Sequence, residues 1–279
     1  MTQNLSHTGT LRRITVRDVQ KKRDEHRKIT MLTAYDHVTG ALLDRAGIDI
    51  LLVGDSLGNV VLGLENTIPV TLDDMIRHTA AVVRGTRRAL VVLDLPFGTT
   101  IDADTALRAS VRAFQESGCQ AVKLEGDERV APIVKRLTDN GMPVVAHIGL
   151  TPQSVHQLGG YYRHGKTSPE IERLLRSARA LQDAGAFAIV LECVVSEVAR
   201  EITAELRIPT IGIGSGADCG GQVLVINDLI GLSINPPPSF AKPRAHVAGI
   251  IEQCAREYIE EVTAEKPVGS ASAELEKPH

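Results

Sequence analysis

Eight short, apolar, β-branched runs follow one another from Ile29 onward, and longer amphipathic stretches separate most of them. The runs are nearly continuous in apolar residues, as parallel strands covered on both faces must be. Glycines stand where several amphipathic stretches give way to the next run. Together these observations predict an α/β chain closed as a (β/α)8 TIM barrel, with an N-terminal helix and a C-terminal outer helix. A single catalytic domain is expected over residues 10–265, with disordered tails at 1–9 and 266–279, where the chain is polar and rich in small residues.

A charged stretch comes first. Thr15 can cap a helix over Thr15–Lys28, with Asp18 three residues on as a short capping box. Its basic residues, Arg17, Lys21, Lys22, Arg23, Arg27 and Lys28, are diluted by Asp18, Asp24 and Glu25, which suits a solvated helix face better than a nucleic-acid arm. The runs are Ile29–Ala34, Ile48–Val53, Leu90–Leu95, Ala121–Leu124, Val144–Ile148, Ala188–Leu191, Thr210–Ile213 and Val223–Ile226. Thr71 caps a helix over Leu72–Thr86, with Asp73 and Asp74 where the helix dipole favours acid. Ala103–Glu116 and Ser168–Ala184 read similarly, Pro169 taking the first helical position of the latter. Gly47, Gly118, Gly141 and Gly185 fall at C′ positions. After Pro236-Pro237-Pro238, a helix over Ala245–Val262 is expected to pack outside the barrel. An open, doubly wound sheet is the alternative, because periodicity alone does not count strands.

Composition narrows the function. The net charge of −3 over 279 residues gives no global field to gather nucleic acid or coat a membrane, and there is no tryptophan for stacking platforms. Cys119, Cys193, Cys219 and Cys254 are widely spaced, which argues against a thiolate zinc site or a disulfide scaffold and for reduced, partly buried thiols. No apolar segment resembles a secretory signal or membrane span, so a cytoplasmic location is expected.

Barrel chemistry sits at the C-terminal strand ends. Those ends carry Asp55 and Ser56, Asp94, Lys123 and Glu125, His147, and Glu192. Asp55, Asp94 and Glu125 come from three consecutive ends, and strands lie about 4.8 Å apart. Three such carboxylates call for a cation, and Mg²⁺ with retained waters suits few oxygen ligands. Glu192, flanked by Leu191 and Cys193, has the partly desolvated setting of a general base. Lys123 and His147 suit a substrate carboxylate or a developing oxyanion. Two further patterns are weaker. Gly160–Thr167 has the spacing of a phosphate-binding loop but does not follow a strand directly, and Gly212–Ala217 fits a loose dinucleotide pattern without the acid that should follow. The latter is better read as backbone drawn close to a ligand or a neighbouring helix.

The stretches Met31–Asp36, Val53–Gly58, Asp94–Phe97, Lys123–Gly126, His147–Ser154, Leu191–Cys193 and Thr210–Gly214 resemble the ketopantoate hydroxymethyltransferases, over about Ile14 to Val262. The resemblance implies a barrel enzyme of pantothenate synthesis, assembled as a homo-oligomer, often a decamer. It implies Mg²⁺, 3-methyl-2-oxobutanoate and 5,10-methylenetetrahydrofolate. By position, Asp55, Asp94 and Glu125 match the metal-associated acids; Asp55, Ser56, Asp94, Lys123 and His147 match substrate contacts; Glu192 matches the proposed base. Gly98–Asp102, Tyr161–Lys166 and Pro238–His246 depart from the family's usual residues, and the folate side carries no residue assignment. A metal-dependent 2-oxo-acid lyase or phosphonate enzyme on a related barrel is the second reading.

Overall fold

The computed structural model describes residues 12–264, so the expectations for 1–9 and 266–279 lie outside the described residues. Eight parallel strands close into a barrel in sequence order: β1 (Ile29–Thr33), β2 (Ile50–Val53), β3 (Leu90–Asp94), β4 (Ala121–Glu125), β5 (Val144–Gly149), β6 (Ala188–Glu192), β7 (Thr210–Ile213) and β8 (Gly221–Leu224). The helices are α1 (Val16–Asp24), α2 (His37–Ala46), α3 (Leu57–Val60), α4 (Leu72–Gly85), α5 (Ala103–Arg112), α6 (Ala131–Asp139), α7 (Val155–Leu158), α8 (Ser168–Asp183), α9 (Ser196–Glu205), α10 (Ile226–Ile230) and α11 (Val247–Ala264).

The period-two alternation of each strand divides the core in two. Ile29 and Met31, Ile50 and Leu52, Leu90 and Val92, and their equivalents on later strands fill the barrel interior. The intervening residues, such as Leu51, Val91, Val122 and Leu124, pack outward with Val82 of α4, Leu137 of α6 and Leu181 of α8. Val19 of α1 joins the interior set, so α1 closes the N-terminal end. The Asp18 carboxylate accepts from Thr15 N at 2.8 Å and Thr15 Oγ1 at 2.7 Å, as the capping box requires. The helix stops at Asp24, short of Lys28, where His26 turns left-handed with φ 54°. At the same end Asp49, 1% exposed, accepts from Lys22 Nζ at 2.5 Å, from Arg88 Nη2 at 3.4 Å, and from Thr30 N and Oγ1 at 3.0 and 2.9 Å.

The C′ glycines at 47, 118, 141 and 185 all have positive φ. Four expectations need adjustment. The eighth strand begins at Gly221 rather than Val223. A Cβ on Gly221 would lie 2.5 Å from the Ile29 carbonyl oxygen, so the β1–β8 approach selects glycine where apolarity gives no signal. Val225 and Ile226 instead lead into α10, with Ile226 N donating to Thr33 Oγ1 at 2.9 Å. The helix expected over Ala103–Glu116 is α5 followed by a π-helical turn at Ala113–Ser117. Pro169 takes the second helical position, after Ser168. Finally, α11 does not pack on the barrel: it buries none of its residues and leaves Ile250, Ile251, Tyr258, Ile259 and Val262 exposed. A groove of about 850 Å³ runs over the outer face of β1 and β8, lined in part by Leu32, Leu224 and Leu229.

Candidate active site

The rule that fills the barrel also builds its mouth. Asp94 stands two residues after interior Val92, Lys123 two after Ala121, His147 two after Val145 and Glu192 two after Val190. Each continues an interior row to the C-terminal rim. Strand register sets Asp94 beside Lys123 and Glu125 beside His147. Lys123 Nζ donates to both Asp94 oxygens, at 2.8 and 2.7 Å, and Asp55 N donates to Asp94 Oδ2 at 3.3 Å. His147 lies between two acids. Its Nδ1 is 3.5 Å from Glu125 Oε2 and its Nε2 is 3.2 Å from Glu192 Oε2; both are ion-pair contacts rather than aligned hydrogen bonds. Ser56 shares a 2.8 Å hydrogen bond with the buried Tyr35 hydroxyl.

Four carboxyl groups thus face two cations at one mouth. Burial pushes the Asp94 carboxyl up; Lys123 opposes and Asp55 assists, leaving it at about 7. Burial likewise raises Glu125, against the pull of His147. Lys123 is disfavoured as a cation by burial, yet Asp94, Asp55 and Glu125 outweigh that and hold it protonated. For His147, burial and Lys123 oppose charge, but Glu125 and Glu192 prevail and push it up to about 9. A cavity of about 420 Å³ opens over these groups, with Tyr161 and Phe240 among its further lining residues.

All the sequence-predicted site residues therefore line this cavity. Asp55, Asp94 and Glu125 share the rim without forming a closed cage. Among the described residues, no group of three His, Cys, Asp or Glu side chains stands close enough to enclose a metal ion. Glu192 faces His147 within a cavity that Val190, Ile213 and Phe240 also line. Sequence reasoning missed two residues within its own motifs: Tyr35, which orients Ser56, and Gln153, which touches Asp55 and Glu125. A polar residue one short turn past a strand end was the available signal. Gly149 matters too: a Cβ there would lie 2.2 Å from the Glu192 carbonyl oxygen, so glycine lets β5 and β6 close at the mouth.

The two weaker patterns resolve differently. In Gly160–Thr167 the Gly165 and Lys166 N–H groups already donate to Glu170, at 3.1 and 2.8 Å, so the chain's own acid takes the donors a phosphate would need. In Gly212–Ala217 a Cβ on Gly216 would lie 2.6 Å from Ser196 Oγ, which is the close approach to a neighbouring helix expected there.

Comparison with known proteins decides among barrel enzymes. A family profile described as ketopantoate hydroxymethyltransferase matches residues 13–267. The chain belongs to the ketopantoate hydroxymethyltransferase family. The 3-methyl-2-oxobutanoate hydroxymethyltransferase of Gluconacetobacter diazotrophicus is 54% identical over 250 residues, covering 90% of this chain and 90% of that protein. That of Chloroflexus aurantiacus is 53% identical over 250 residues, covering 90% of this chain and 89% of that protein. Among solved structures, the phosphoenolpyruvate phosphomutase of Streptomyces platensis superposes with a TM-score of 0.60 at 15% identity, covering 89% of this chain and 87% of that one. A phosphonopyruvate hydrolase does so with a TM-score of 0.60 at 12% identity, covering 95% and 92%. At such identities the likeness shows a shared barrel only. Membership of the ketopantoate hydroxymethyltransferase family makes this chain a transferase and sets aside the lyase or phosphonate reading.

Proposed function

We infer that the chain adds a hydroxymethyl group from 5,10-methylenetetrahydrofolate to 3-methyl-2-oxobutanoate, giving ketopantoate for pantothenate synthesis. The observation that carries the site assignment is the pair of contact chains at one mouth, Asp55–Asp94–Lys123 and Glu125–His147–Glu192, which Gln153 joins through Asp55 and Glu125, with more carboxylates than cations.

The donor set fits Mg²⁺. It is made of hard carboxylate oxygens, it carries surplus negative charge, and it offers too few convergent groups for a cage, which suits an ion that keeps several waters. Asp55 and Asp94 would hold the ion, with Glu125 acting through a water. When bound, Mg²⁺ supplies Lewis acidity that polarises the 2-oxo group and makes the C3 proton removable. The chain's own groups do the rest. Lys123 and His147 set positive charge beside the substrate carboxylate and the oxygen that gains charge, and Ser56, oriented by Tyr35, adds a hydroxyl contact. Glu192 takes the C3 proton. C3 then forms a bond to the folate-borne methylene carbon as the first of that carbon's two bonds to folate nitrogen breaks; water replaces the second nitrogen and supplies the hydroxyl oxygen, and the C3 proton and one water proton end on the two folate nitrogens. His147, as imidazolium, keeps the Glu192 carboxylate oriented for the proton.

The self-association implied by the family has support in α11. Its 18 residues span about 27 Å at 1.5 Å per residue. A second copy of this chain is the partner that would cover its exposed apolar side chains. Among the described residues no helix is long and apolar enough to cross a membrane. The reading is tested by following ketopantoate formation from the oxo acid and methylenetetrahydrofolate. Product should require both substrates, and excess chelator should stop it until Mg²⁺ is restored. Full activity in chelator would remove the metal from the mechanism.

A further inference from the structure

Gln153 makes more polar contacts across the mouth than its place in a loop suggests. It lies in the single 3-10 turn Pro152–Ser154 that follows β5, yet it is 8% exposed. Its backbone N–H donates to Glu125 Oε1 at 2.8 Å. Its side-chain amide nitrogen donates to Asp55 Oδ2 at 2.9 Å and to the Leu95 carbonyl oxygen at 3.0 Å. One residue of the loop after β5 is therefore bonded to residues at the ends of β2, β3 and β4.

The Leu95 contact fixes which way the amide faces. A backbone carbonyl only accepts, so it demands the NH₂ side of the amide and rules out the flipped orientation, in which Asp55 would meet the amide oxygen. With the amide so locked, one oxygen of Asp55 is committed to Gln153. Glu125 is committed in the same way through Oε1, while its Oε2 faces His147. We propose that Gln153 is the positioning residue of the cation site: it presets Asp55 and Glu125 together and leaves the second oxygen of Asp55 as the one offered to the ion. This rests on the reading of Asp55 and Glu125 as metal-associated acids.

The role separates from packing. Met in place of Gln153 keeps the length and approximate volume of the side chain and the backbone N–H to Glu125, but gives Asp55 and Leu95 no donor. Asn keeps the amide but is one methylene shorter, so it cannot reach Asp55 and Leu95 O together. Asp49→Asn disturbs a buried ion pair at the opposite end of the barrel and serves as a comparator that changes stability alone. The experiment is titration of Mn²⁺, followed by electron paramagnetic resonance without substrate, on wild type, Gln153→Met, Gln153→Asn and Asp49→Asn, with thermal melting of each. Loss of an outer partner of a metal ligand typically weakens binding about 10- to 100-fold. Gln153→Met should show a Mn²⁺ Kd raised in that range and Gln153→Asn should move the same way, whereas Asp49→Asn should melt earlier with its Kd unchanged. A wild-type Kd in folded Gln153→Met or Gln153→Asn would overturn the positioning role and leave the metal reading intact. Failure of the wild type itself to bind Mn²⁺ would overturn both.

Discussion

At the N-terminal end of the barrel Asp49 is 1% exposed, and at the C-terminal end Asp94 is also 1% exposed. The same side chain, equally hidden from solvent, ends in opposite states. Burial pushes the Asp49 carboxyl up, but Lys22 and the two Thr30 donors outweigh it and hold the group below its usual range. Burial pushes Asp94 to about 7, because the help of Lys123 is offset by Asp55 and Glu125 nearby. Asp94 is packed more deeply within the protein than Asp49, and the balance of neighbouring charge widens the difference that depth begins. At the N-terminal end one acid meets two cations, a closed arrangement that stabilises the fold. At the mouth four acids share two cations, which costs stability unless something positive completes it. That asymmetry separates a structural charge cluster from a working one.

Breaking the two ends should give opposite signatures. Asp55→Ala at the mouth is expected to cut turnover by about 10³-fold or more, since the ion it would hold contributes several kcal/mol to the chemical step. Its melting temperature should hold or rise, because a repelling charge is gone. A fall in melting temperature with turnover intact would make Asp55 structural. Asp49→Asn should do the reverse, keeping turnover and losing stability. Breaking a fully buried pair costs about 3–5 kcal/mol, but Lys22 and Arg88 retain 22% and 30% exposure, so about 2 kcal/mol is expected, or roughly 5 °C in Tm. The sign with pH is set by the lowered Asp49 pKa. The stabilisation is full above the unfolded value near ~4 and is lost as pH falls through the lower folded value. Wild type and Asp49→Asn should therefore converge in acid. The smallest effect concerns Lys166→Ala. Calorimetry should detect no ATP binding before or after the change, since Glu170 already holds the loop's N–H groups; micromolar binding by the wild type would reopen the phosphate-loop reading.

The barrel and the identity of its mouth residues were legible because both follow from one period. Apolar residues alternating along a strand fix which face is interior, and the polar residue that continues the interior row falls at the rim. Asp94, Lys123, His147 and Glu192 are found that way. The partners were not legible. Lys123 reads as a substrate contact from its position, but its bond to Asp94 depends on cross-strand register. Gln153 reads as a loop residue, since its reach to Asp55 spans 98 positions of sequence. The start of β8 was hidden because close backbone approach selects glycine, which hydrophobic patterning does not register. The exposed flank of α11 was misread for the opposite reason: its apolar residues predict burial without saying against what.

The most direct test of the mouth as a proton-transfer site leaves folate out. With Mg²⁺ and 3-methyl-2-oxobutanoate in deuterated water, the wild type should exchange the C3 proton, which NMR follows as loss of its signal. Glu192→Gln keeps the side chain's size and removes the base. It should still bind the oxo acid but lose exchange by about 10²-fold or more, the usual scale of a general base. Undiminished exchange in Glu192→Gln, with exchange lost in His147→Asn, would contradict the account and move the base to the imidazole 3.2 Å away.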